Sequence, residues 1–252
     1  MRFSISRFSL PLLLSVFILG ACEGKPDQNA PKIDYWASIA PLMEAKYGGS
    51  CTNIVDGKVG TGVFDVSADG KIKTDDQRAD FRKADELSLS REKHESGVVV
   101  TLSAEIDGTI VNVNTNSHFK DSSGSLKKGE AGVVCRTPII ALRLAAAKPH
   151  IIADSMLASA KKSFLCAPDG AGKPVSINYS YQNHILTVNK AVFDLNNIEQ
   201  EQLFFREGYK AMSYHASGKN FRMVSVGFNQ YGHITELGFP GSADLEEICH
   251  VI

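Results

Sequence analysis

Apolar residues recur along this chain with two spacings. At helical spacing they fill residues 34–47 and 149–162, each stretch ending close to a cysteine or just before one. Strand-like runs follow each stretch. The first pair, 63–67 and 71–74, flanks Asp69-Gly70, and the second, 175–181 and 185–188, flanks Asn183-His184. Further on, 98–103 and 221–228 are apolar and β-branched, and Asp107-Gly108 and Tyr231-Gly232 mark the next turns. The final runs are 109–115, with Val111 and Val113 between asparagines, and 233–239. Three more helices are predicted. Thr74-Asp75-Asp76-Gln77 has the form of a capping box opening a helix through Phe81 and Ala84. Residues 196–206 carry Ile198, Leu203 and Phe205, and Thr137-Pro138 starts a helix through Leu142 that Pro149 ends.

These landmarks occur twice. Setting aside Cys22, the cysteines are Cys51, Cys135, Cys166 and Cys249, whose spacings are 135 − 51 = 84 and 249 − 166 = 83. The first members lie 115 apart and the second members 114 apart, the arithmetic of a duplicated unit. That register puts 98–103 opposite 221–228, and it pairs Cys51 with Cys135 and Cys166 with Cys249. The predicted fold class is α+β: two tandem repeated units, each a helix packed on an antiparallel sheet and closed by one disulfide. The predicted domains are a signal peptide at 1–21, a tether at 22–32, unit 1 at 33–135, a connector at 136–149 and unit 2 at 150–252.

The amino terminus adds an address. Arg2 and Arg7 precede a short apolar run, 10–19, which is too short to span a bilayer. The run ends in Leu19-Gly20-Ala21-Cys22, which resembles the lipobox of bacterial lipoproteins. The resemblance implies that Cys22 is acylated and becomes the first mature residue, and that Glu23 favours the outer membrane over inner-membrane retention. The partner it implies is the membrane, reached through the lipid anchor, with the domain facing the periplasm. Disulfides suit that compartment. Residues 23–32 are polar and contain two prolines, as a tether would.

Composition removes some classes. With 43% hydrophobic and 22% charged residues the chain is globular. Cleavage before Cys22 leaves 25 basic and 28 acidic residues, net −3, which gives no basic face for nucleic acid. Residues 33–135 carry 12 basic and 16 acidic side chains, and 136–252 carry 11 and 10. The acidic unit is therefore the expected docking side, for a basic partner.

Motifs of catalysis are weak. Ser-x-x-Lys occurs at Ser90, Ser125 and Ser159 without the other motifs of penicillin-binding proteins, and Gly170-Ala171-Gly172-Lys173 lacks P-loop spacing. The seven histidines include no His-x-x-x-His. No cofactor or metal is expected. The expected function is a non-enzymatic envelope lipoprotein that binds another protein in the periplasm, as an inhibitor or immunity protein against a toxin or hydrolase does. The alternatives are a small envelope hydrolase with a dispersed site (His184, Tyr214, His215, His233) and a structural subunit of an envelope complex. Partner contacts are expected where the two units diverge, at 75–95, 193–214 and 116–130. Asp75, Asp76, Asp80 and Arg82 are the candidate binding residues.

Overall fold

The computed structural model describes residues 34–116, 122–140, 142–143, 147–157, 161–168, 173–206, 211–241 and 246–252. All belong to one body, Lys32–Ile252. The signal peptide, Cys22, the tether, the loop 117–121, Ser159 and the glycine-rich 170–172 lie outside the described residues.

The α+β expectation is wrong. The described residues are dominated by one antiparallel sheet of eighteen strands. The first half supplies β1 (Ala45–Asn53), β2 (Val59–Val66), β3 (Lys71–Lys73), β4 (Arg78–Asp80), β5 (Glu86–His94), β6 (Gly97–Ile106), β7 (Thr109–Asn116), β8 (Ser123–Lys128) and β9 (Ala131–Ile140). The second half supplies β10 (Lys161–Pro168), β11 (Val175–Gln182), β12 (Ile185–Val188), β13 (Ala191–Asp194), β14 (Gln200–Arg206), β15 (Ala211–Ser217), β16 (Met223–Asn229), β17 (Ile234–Pro240) and β18 (Glu246–Val251). The α-helices among the described residues are α1 (Tyr35–Ile39) and α2 (His150–Met156), of five and seven residues.

Each helix misreading has a local cause. The first predicted helix stops at Pro41, and from Ala45 burial alternates through Tyr47, so the chain becomes β1. The second shrinks to α2. The Thr74 hydroxyl does accept the Gln77 N–H, at 3.0 Å, but the bond closes the turn between β3 and β4. Strand β9 runs through Thr137-Pro138 to Ile140, where a helix start was expected. Residues 200–206 bury every second side chain, Glu201, Leu203 and Phe205, and form β14. A buried glutamate breaks the apolar alternation, which is why the sequence misleads there.

Within the first half the ladders run β4-β3-β2-β1-β9-β8-β7-β6-β5, with the last strand returning to the first. The second half repeats this order, β13-β12-β11-β10-β18-β17-β16-β15-β14. Strand order therefore matches β6 with β15 and β7 with β16, so the sequence register that set 98–103 against 221–228 is one strand out. The halves join through β5 and β14, where Leu89 faces Leu203, the residue 203 − 89 = 114 positions on. Each half thus offers the same strand, and the seam has local two-fold character.

Both disulfides are present. Cys51 and Cys135 face each other across the β1–β9 ladder, with Cα atoms 4.1 Å apart. Cys166 and Cys249 join β10 to β18. Each closes a loop of 83 or 84 residues at the strand pair that curls its half, which restricts the unfolded chain by about 4 kcal/mol. One continuous core fills the interior. Helix α1 packs against α2 and hydrogen-bonds across the halves, Tyr35 Oη donating to the Asn229 carbonyl at 3.0 Å.

Candidate functional site

Three places gather polar or charged groups that the core does not require. The first is the seam itself. Arg91 of β5 faces Glu201 of β14, with Nε and Oε2 3.6 Å apart, and Tyr214 of β15 donates to Glu201 Oε1 at 2.8 Å. Glu201 and Tyr214 are fully buried, and Arg91 nearly so. Burial pushes the Glu201 carboxyl up to about 7, outweighing the opposing pull of Arg91 and Tyr214. The position related by the local two-fold holds Leu87 against Phe205. One side of the seam is apolar and the other carries this charged group.

The second place is a cleft of about 500 Å³ in the first half. Strands β3 and β4 set Lys73 opposite Arg78, and Lys71 opposite Asp80. Lys83, from the 3₁₀ turn Phe81–Lys83, and Lys128 of β8 complete the basic wall, against Asp65, Asp80 and Asp107. Ile72 and Ile106 line it with apolar surface. Lys71 already has a partner, Asp69 at 2.5 Å, and that contact with the Ser67 hydroxyl holds the Asp69 carboxyl well below the usual range. The acidic half therefore presents a cationic hollow, the reverse of what its net charge suggests.

The structure divides the residues singled out from sequence. Asp75 and Asp76 are exposed and line a separate cleft of about 440 Å³ beside the first disulfide. Asp75 closes over Gly62, where an added Cβ would lie 2.9 Å from its carboxylate and 3.1 Å from Cys51 Sγ. Asp80 lines the cationic cleft, and its carboxylate accepts the Arg82 N–H at 3.0 Å, so both serve the 3₁₀ turn. The dispersed hydrolase set is not brought together. Successive residues of β15 point to opposite faces, so Tyr214 is buried on Glu201 while His215 lies edge-on to Phe204. His233 sits in the turn after β16, with its ring centroid 6.5 Å from that of Tyr231.

His184 belongs to the third place, which sequence reasoning missed. His150 and Asp154 stand one turn apart on α2, and the Asn183-His184 turn between β11 and β12 brings His184 to them. The gaps are 3.3 Å from His184 Nδ1 to Asp154 Oδ1 and 3.9 Å from His150 Nε2 to Asp154 Oδ2. The two imidazoles stack with centroids 3.7 Å apart. Tyr181 donates its hydroxyl to Asp154 Oδ1. The i,i+4 spacing of His150 and Asp154 was legible in the sequence; the third member depends on where a hairpin docks.

Searches of the protein-family models, the curated proteins and the solved structures find no match to this chain.

Proposed function

We propose that the chain is a lipid-anchored envelope protein that binds another protein without transforming it, as a periplasmic inhibitor or immunity protein would. The observation that carries the binding surface is the cationic cleft of β3 and β4, where Lys73, Arg78, Lys83 and Lys128 surround an apolar floor. The partner that fits it is an acidic segment of a protein. The lining carries five cationic side chains against the three carboxylates of Asp65, Asp80 and Asp107, and a net positive cleft raises the association rate of an acidic ligand. The lipobox-like Leu19-Gly20-Ala21-Cys22 supports the anchor. Among the described residues no helix is long and apolar enough to cross a membrane.

The test is co-purification of the 23–252 fragment with periplasmic and secreted proteins, followed by Lys73→Glu with Arg78→Glu. A stoichiometric partner whose affinity drops at least tenfold in the double variant, with unchanged melting temperature, supports the reading. A partner that binds the double variant as well as the parent overturns the cleft as its seat. Asp75→Lys with Asp76→Lys then asks whether the neighbouring cleft is used instead.

A further inference from the structure

We propose that His150, Asp154 and His184 form a binding site for one divalent transition-metal ion of the zinc type. One ligand atom from each residue lies within 4.8 Å of the other two. Ligands held tetrahedrally about 2.0–2.1 Å from a zinc ion stand roughly 3.3 Å from one another. The observed gaps, 3.3 Å from His184 to Asp154 Oδ1 and 3.9 Å from His150 to Asp154 Oδ2, are close to that separation. Two imidazoles and one carboxylate select zinc, cobalt, nickel or copper over calcium and magnesium, which take oxygen ligands.

The surroundings orient two of the three ligands, His150 and Asp154. Asp194 Oδ1 accepts the Asn196 side-chain amide N–H at 3.1 Å, which fixes that amide with its oxygen toward His150. Asn196 Oδ1 lies 2.7 Å from His150 Nδ1 and so takes the proton there, leaving the Nε2 lone pair facing Asp154. Tyr181 similarly ties down the Asp154 carboxylate. Hydrogen-bonded partners of this kind orient metal ligands and fix the histidine tautomer. The ligands differ in exposure, His150 being 13% accessible, His184 37% and Asp154 44%, so an ion can enter from solvent and keep an open position.

His184 is also placed against local preference. Asn183 and His184 have φ of 52° and 64°, the two-residue turn in which glycine is the usual second residue. A histidine kept there carries its imidazole onto α2.

The test is titration of the full chain, untagged and freed of metal, with Co²⁺ followed by absorption and with Zn²⁺ followed by calorimetry. The expected result is one ion per chain, micromolar or tighter, with zinc displacing cobalt and raising the melting temperature. Asp154→Asn and His184→Gly should each weaken binding at least tenfold. Because glycine suits the turn, the His184→Gly protein should melt no lower than the metal-free parent, which separates loss of a ligand from loss of the fold. His233→Ala should bind as the parent does. Absence of a one-to-one site in the parent, or equal binding by the parent and both ligand variants, overturns the proposal.

Discussion

Glu201 shows how one side chain can set a property of the whole protein. Its folded-state carboxyl titrates near 7, against 4.5 for an exposed glutamate, because burial disfavours the charge. The folded protein thus holds a proton that the unfolded chain has released. Stability is fullest below about pH 4.5 on this account and falls as pH rises through about 7, by an amount of the order of 3 kcal/mol. Glu201→Gln mimics the protonated form and keeps an acceptor for Tyr214. The variant should match the parent near pH 5, exceed it above pH 7, and show a flatter dependence between them. Urea unfolding across that range measures the slopes, and parallel slopes would contradict the assignment.

At the scale of the element, strand β8 shows the consequence of a tightly curled sheet. Gly124 pairs with Cys135 on one neighbour and Val113 on the other, while Phe64 and Tyr47 crowd it from inside. An added Cβ would fall 2.2 Å from Phe64 Cδ1 and 2.8 Å from Tyr47 Cδ2. Both rings are buried, so neither can yield cheaply. Gly124→Ala should therefore cost about 1–3 kcal/mol, read as a lower denaturant midpoint. A neutral result would mean that the β1–β8 wall is looser than described. The same scale explains what was legible in the sequence. Hairpins whose turns need positive φ, such as Asp107-Gly108 at 49° and 70°, announce themselves through the turn residues. Strands β4 and β14 do not, because one is three residues long and charged and the other buries a glutamate. Both cysteine pairs followed from spacing alone. The sites were less visible: the basic wall draws on β3, β4 and β8, and the histidine cluster on α2 and a distant turn, so each exists only after folding.

For the whole molecule, the proposed lipid anchor and the sheet make separable demands. Cys22→Ser should release the protein from membranes without altering its folded domain, since among the described residues the buried core runs from Tyr35 onward. Retention of the variant in carbonate-washed membranes would remove the lipobox reading. The join between halves has a further consequence. Leu89 and Leu203, which face each other, occupy corresponding positions in β5 and β14, so the contact has the form found where two identical subunits meet about a two-fold axis. Here both partners are carried on one polypeptide. A two-chain version would come apart on dilution; this one is held at an effective concentration set by the connection between halves. Its integrity is then independent of how many copies the cell makes.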